Sequence, residues 1–208
     1  MKRLVLLVGL MLTSSLWGSS IAALGANAKT VLVLGDSISA AYGIQREAGW
    51  VALLAARLAA ERPGDVVVNA SISGETTEGA LARLPAALAK HAPDIVVLEL
   101  GGNDALRGYP VDRIEANIEA MTALVANAGA RVVLVGMQIP PNYGPRYANA
   151  FKALYEDVAR REQLAFVPFP MLDFAADPDM MQADGIHPTA AAQGKILEHV
   201  LAVLSPLL

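Results

Sequence analysis

Short apolar runs rich in β-branched residues alternate along the chain with longer stretches whose apolar positions recur every three to four residues. Residues 31–34, 66–68, 95–100, 131–135 and 165–167 read as strands. Between them, Trp50, Leu53, Leu54 and Leu58 form one helical stripe, and Ile114, Ile118, Met121, Leu124 and Val125 form a second. Phe151, Leu154, Tyr155 and Val158 form a third. Such stripes normally face a sheet, so these residues are expected in the core rather than at a ligand. Leu81, Leu84 and Leu88 are also periodic, but Pro85 sits among them and predicts a broken or kinked helix. The alternation of the two periods points to an α/β fold with a parallel sheet covered on both faces.

The N-terminus departs from this pattern. Lys2 and Arg3 precede an apolar run over residues 4–12, polar Thr13, Ser14 and Ser15 follow, and Ala26-Asn27-Ala28 has the small residues of a cleavage site. This reads as a leader over residues 1–28, leaving one domain over residues 29–208. The alternative, an uncleaved anchor, is disfavoured because the run is too short to span a bilayer. The full chain of 208 residues has a net charge of −4, and the only charged side chains of the leader are the basic Lys2 and Arg3, so the remainder is more acidic still. Nucleic acid is not expected as a partner. With no cysteine, the chain has no disulfide, thiolate metal site, cysteine nucleophile or lipid-modified cysteine.

Polar motifs fall directly after the strands. Gly35-Asp36-Ser37 follows the first, Ser71-Ile72-Ser73-Gly74 the second, and Gly101-Gly102-Asn103-Asp104 the third. Ligands of open parallel sheets bind beyond the carboxyl ends of the strands, so these loops should converge on one edge. Asp184-Gly185-Ile186-His187-Pro188 follows the fifth strand and can return there.

A serine hydroxyl becomes a useful nucleophile when a histidine takes its proton and a carboxylate orients that histidine. Ser37, His187 and Asp184 supply these groups, and the three-residue spacing lets one turn join the carboxylate to the ring. Of the three histidines, His91 ends a helical stretch and His199 lies inside the last one, and both read as solvated. Acyl transfer also needs donors aimed at the oxygen that becomes negative. The N–H groups of Ser37 and Gly74 and the side-chain amide of Asn103 are candidates. A loop glycine can instead serve a positive φ, and an asparagine can serve a turn. Taken together, the set favours donors.

Asp36 has two readings, a second acid or a local hydrogen bond that shapes the turn, and the second is preferred. Glu75 and Asp104 invite a metal, but no ligand spacing supports one, and no Gly-x-Gly-x-x-Gly turn follows the first strand. No cofactor is therefore expected.

Gly35-Asp36-Ser37, Gly74, Gly101-x-Asn103-Asp104 and Asp184-x-x-His187 resemble the four sequence blocks of the SGNH, or GDSL, hydrolases. The resemblance spans essentially all of residues 29–208. Residues 71–77, 81–85, 99–104 and 142–144 read like the branch of bacterial periplasmic thioesterases, lysophospholipases and arylesterases. It implies a three-layer α/β/α sandwich, flavodoxin-like, with a five-stranded parallel sheet. By the same resemblance Ser37 is the nucleophile, His187 the general base and then acid, and Asp184 its orienting carboxylate. Ser37, Gly74 and Asn103 form the oxyanion hole.

The expected reaction is hydrolysis of acyl esters and thioesters through an acyl-enzyme, on small-molecule esters, thioesters or lysophospholipids. Leu106, Tyr109, Ile139, Pro140 and Tyr143 lie on loops after the third and fourth strands and are candidates for substrate contact. Apolar walls discriminate weakly, about 1–3 kcal/mol per methylene, so a broad acyl range is expected. An exported enzyme, periplasmic or secreted, would meet lipids and small esters more readily than acyl-CoA. A monomer without a membrane anchor after leader removal is expected. Two other readings are weighed: a carbohydrate O-deacetylase of the same superfamily, and a binding module that lost its catalytic residues. Exposed aromatic rings would favour the first, but the chain has only two tryptophans, Trp17 in the leader and Trp50 in a helical stripe; a missing triad or oxyanion residue would favour the second, and none is missing.

Overall fold

The computed structural model describes residues 28–208, so the predicted leader, Ala28 apart, lies outside the described residues. Strand β1 (Thr30–Gly35) leads through helix α1 (Trp50–Glu61) to β2 (Val66–Asn69). Helix α2 (Thr77–His91) precedes β3 (Ile95–Glu99), and α3 (Gly102–Leu106) and α4 (Val111–Asn127) precede β4 (Arg131–Val135). Helix α5 (Pro145–Arg161), β5 (Ala165–Val167) and α6 (Gln193–Leu204) complete the chain order. The five strands fall where the apolar runs predict them.

The sheet is parallel throughout, with strand order β2-β1-β3-β4-β5. The chain moves outward from β1 to β2, then crosses back to place β3 on the other side of β1. That reversal leaves a crevice beyond the carboxyl ends of β1 and β3, where the first and third polar motifs lie. Helices α1 and α6 pack together on one face, and α2, α4 and α5 on the other, so the fold is a three-layer α/β/α sandwich.

Both faces of the central strands are therefore out of water, which is why residues 31–34 and 95–98 can be apolar without alternation. The helical stripes meet them: Trp50, Leu54 and Leu58 from α1, Ile114, Ile118, Met121 and Val125 from α4, and Phe151, Leu154, Tyr155 and Val158 from α5 are all buried. Full burial of such a side chain contributes roughly 1.5–3 kcal/mol. Leu53 and Leu124, on the flanks of their stripes, are only partly buried.

Pro85 does not break its helix. Helix α2 runs through it from Thr77 to His91, capped by the Thr76 hydroxyl, which accepts the Gly79 N–H at 3.2 Å. Pro85 is exposed, whereas Leu84 and Leu88 are buried. The hydrogen bond that proline cannot make is thus lost on the outer face, where solvent substitutes for it.

Candidate active site

At Gly35 the strand ends and the backbone winds at once into a tight turn. The Ala40 N–H donates to the Asp36 carbonyl at 2.9 Å and the Tyr42 N–H to the Ser37 carbonyl at 3.0 Å. Asp36 shapes this turn as the local reading expects: its Oδ1 accepts the Ile38 N–H at 3.1 Å. Its Oδ2 reaches across the crevice and accepts the Asn103 amide at 3.2 Å. Burial pushes the Asp36 carboxyl up to about 6, opposed by the Ile38 N–H, the nearby His187 ring and hydrogen bonds to Glu99 and Asn103.

His187 arrives from the loop between β5 and α6, held by a short antiparallel bridge between Met181 and Pro188. Its Nε2 lies 2.8 Å from Ser37 Oγ and its Nδ1 lies 2.7 Å from Asp184 Oδ2. A carboxylate can only accept, so Nδ1 carries the hydrogen and Nε2 is free to accept the serine proton. Asp184 Oδ1 also accepts the N–H groups of Ile186 and His187, at 2.9 and 3.0 Å. Burial is the largest single influence on the Asp184 carboxyl and raises it, but the two N–H groups and the His187 ring together outweigh it and hold the group at about 2. Gly185 supplies a φ of +65° at the turn of this loop.

Two side chains that sequence reasoning passes over fasten this loop to the turn that carries Ser37. The Tyr42 ring lies against the His187 imidazole, centroids 4.5 Å apart. Gln182 donates from Nε2 to the Tyr42 carbonyl at 2.8 Å and to the Pro188 carbonyl at 3.1 Å. Neither residue type announces such a role, because its partner is distant in sequence.

The oxyanion candidates approach from two further loops. Asn103 lies near the start of α3, on the cleft wall, with one amide hydrogen on Asp36 and the other unused. Gly74, at φ +81°, lies on the loop between β2 and α2. That loop is drawn to the end of β1 by the Ile72 N–H, which donates to the Gly35 carbonyl at 3.1 Å. Arg107 donates to the Gly74 carbonyl at 3.2 Å. The N–H groups of Ser37 and Gly74 have no hydrogen-bond acceptor among the described residues. Asp104, beside Asn103, is buried and accepts the N–H and hydroxyl of Thr77 at 2.9 and 2.6 Å, tying α3 to the start of α2. It serves this junction, as Glu75 serves a 2.5 Å pair with Arg83. Among the described residues, no three of His, Asp and Glu gather into a metal-binding group.

A cleft of about 380 Å³ opens over Ser37, His187 and Asn103. Of the predicted contact residues, Leu106, Ile139 and Pro140 line it. Tyr109 and Tyr143 lie outside the lining: Tyr143 Oη donates to the Leu106 carbonyl at 3.0 Å, and the Tyr109 carbonyl accepts the Tyr147 hydroxyl. They brace the wall instead of forming it: the Tyr143 hydroxyl is spent on the last residue of α3, and the Tyr109 ring lies against the Arg113 guanidinium of α4. The opposite wall comes from the stretch after β5, with Phe169, Met171, Leu172 and Met181. Pro168 and Pro170 interrupt the apolar residues past the last strand, so no regular period marks this wall in the sequence. His91 ends α2 and His199 lies in α6; both are half-buried rather than solvated, and neither lines the cleft.

Comparison with known proteins adds an independent observation. Residues 33–195 match the GDSL-like lipase/acylhydrolase family. The chain is 54% identical to esterase TesA of Pseudomonas aeruginosa over 183 residues, 88% of this chain and 91% of that protein. It is 42% identical to thioesterase 1/protease 1/lysophospholipase L1 of Escherichia coli over 182 residues, covering 88% and 86% of the two chains. The crystal structure of the psychrotrophic esterase EstA from Pseudoalteromonas sp., inhibited by monoethylphosphonate, superposes with a TM-score of 0.81. It shares 43% identity over 86% of this chain and 97% of that one.

Proposed function

Since the chain belongs to the GDSL-like lipase/acylhydrolase family, we propose that it is a serine hydrolase cleaving acyl esters and thioesters, with Ser37, His187 and Asp184 as its triad. The observation that carries this reading is the unbroken relay from Ser37 Oγ to His187 Nε2 at 2.8 Å and from His187 Nδ1 to Asp184 at 2.7 Å. A binding module has no use for such a relay.

Ser37 Oγ attacks the acyl carbonyl as His187 Nε2 takes its proton. The carbonyl oxygen becomes negative and is met by the Ser37 and Gly74 N–H groups and the free Asn103 amide hydrogen. Donors prearranged in a site that excludes water are worth more than in solution. Asp184 stabilises the imidazolium that forms. Collapse expels the alcohol or thiol, which leaves with the proton from Nε2. Water then repeats the attack on the acyl-serine, and Ser37 regains its proton. Apart from substrate and water, every group in these steps belongs to the chain itself, so turnover should persist in EDTA.

The acyl group is assigned to the cleft lined by Leu106, Ile139, Met171 and Leu172. Its apolar walls suit an alkyl chain better than the hydroxyls of a sugar, which favours an esterase over a carbohydrate deacetylase. The relatives named as esterase and as thioesterase and lysophospholipase support this class. With the leader read in the sequence, the setting is the periplasm or the medium and the substrates are lysophospholipids and small esters. Initial rates on p-nitrophenyl esters of increasing acyl length, beside a lysophospholipid and an acyl-CoA, test the reading. Turnover of several acyl lengths is expected; activity confined to acetylated sugars would contradict it.

A further inference from the structure

Beneath the nucleophile turn lies a carboxyl group that the proposed steps do not use. Glu99, the last residue of β3, stands opposite Gly35 in the register of β1 and β3 and is 2% exposed. A Cβ on Gly35 would come within 2.8 Å of Glu99 Oε2 and 2.7 Å of Ser39 Oγ. Glycine is needed at this position for space, since its φ lies outside the left-handed region.

Glu99 Oε2 accepts the Ser39 hydroxyl at 2.6 Å and the Asp36 N–H at 3.4 Å. The two donors bracket Ser37 along the chain. The hub reaches further: the Ser39 carbonyl accepts the Asn69 amide at 2.8 Å, and Asn69 Oδ1 accepts the Ser71 N–H at 3.0 Å, on the loop that carries Gly74.

We propose that Glu99 is a positioning residue of this hydrolase: through Ser39 and the Asp36 N–H it fixes the turn that presents Ser37, and with it the Asp36 contact to Asn103. The inference rests on Ser37 being the nucleophile.

A neutral acid suits this place. Among the described residues no lysine or arginine pairs with Glu99, and the titratable groups around it are Asp36 and Tyr155. Burial, and then the charge of Asp36, hold the Glu99 carboxyl well above the ordinary carboxylate range. One oxygen can then take both donors while the other remains polar but uncharged. Glu99 and Trp50 both line a cavity of about 10 Å³, and Glu99 Oε1 and the Trp50 indole nitrogen have no protein hydrogen-bond partner. Glutamine would reproduce this shape and its polar pattern without any possibility of charge. Leucine would reproduce only the volume.

The test compares Glu99→Gln, Glu99→Leu and Ser39→Ala in the full chain, by kinetics on p-nitrophenyl butyrate and by the rate of Ser37 phosphonylation. Glu99→Gln should keep kcat and KM near wild type. Glu99→Leu should lower kcat about 100-fold at unchanged KM, the scale of a misplaced reacting group, and slow phosphonylation in proportion. Ser39→Ala should lower both rates about three- to ten-fold, as loss of one hydrogen bond does. A folded Glu99→Leu variant with wild-type kcat overturns the proposal, as does Glu99→Gln falling as far as leucine. Should the leucine variant not fold, unchanged rates in Ser39→Ala overturn it. Failure of the Ser37 assignment would show separately, as phosphonylation of wild-type protein at another residue.

Discussion

Asn103 donates one amide hydrogen to Asp36 Oδ2 across the crevice at 3.2 Å, which leaves its second hydrogen free on the cleft wall. The residue just before Ser37 thereby orients an amide contributed by helix α3, after β3. Asp36 acts on two loops at once, since its other oxygen accepts the Ile38 N–H.

An Asp36→Asn variant cannot serve both donors, because one of its two terminal atoms is now itself a donor. Its kcat should fall about ten-fold with KM little changed, the scale of one weakened transition-state hydrogen bond. Stability supplies a second readout. The folded value of Asp36, about 6, exceeds its ordinary 3.8. Its contribution to stability is therefore full below pH 4 and is lost as pH rises through 6. The difference in unfolding free energy between wild type and Asp36→Asn should decline over that window; a difference that grows would show that Asp36 is stabilised in its charged form.

Asn103→Ala removes the donor itself. Its kcat should fall by about 10² to 10³ with little effect on KM, as for other side-chain oxyanion donors. If KM rises alone, Asn103 binds the ground state and the oxyanion role is wrong.

Activity should fall on acidification, because a protonated His187 ring cannot accept the Ser37 proton. His187→Gln should abolish turnover, whereas His91→Gln and His199→Gln should leave the pH profile of kcat/KM unchanged. A profile altered by either of the last two would reassign the base.

Much of this architecture is legible in the sequence, for identifiable reasons. Strands buried on both faces announce themselves as apolar runs, and the triad residues follow them in short polar strings. Glu99 escapes notice because an acid at a strand end reads as surface, and only the fold reveals that it lies over Gly35. Likewise Pro85 suggests a break until its outward face is known. The far wall of the cleft is hidden for a different reason: Pro168 and Pro170 interrupt the apolar run after β5, so Phe169, Met171 and Leu172 show no period.

The predicted leader meets the described fold at Lys29, whose backbone N–H donates to Asp65 Oδ1 at 2.8 Å, while the Thr30 N–H donates to Asp94 Oδ2 at 2.8 Å. Cleavage after Ala28 would turn the Lys29 nitrogen into an ammonium facing Asp65. N-terminal sequencing of exported protein should begin at Lys29. Removal of Thr30 and the residues after it would cost the start of β1, the strand that leads to Ser37, so a start beyond Thr30 in active protein would contradict this placement.

The most direct measurement is active-site labelling by a fluorophosphonate, followed by peptide mass spectrometry and assay of residual p-nitrophenyl butyrate hydrolysis. One label per chain on Ser37, activity lost in step with labelling, and a folded but inactive and unlabelled Ser37→Ala variant are expected. A label on any other residue, or a Ser37→Ala variant that keeps near wild-type turnover, would contradict a serine relay built from Ser37, His187 and Asp184.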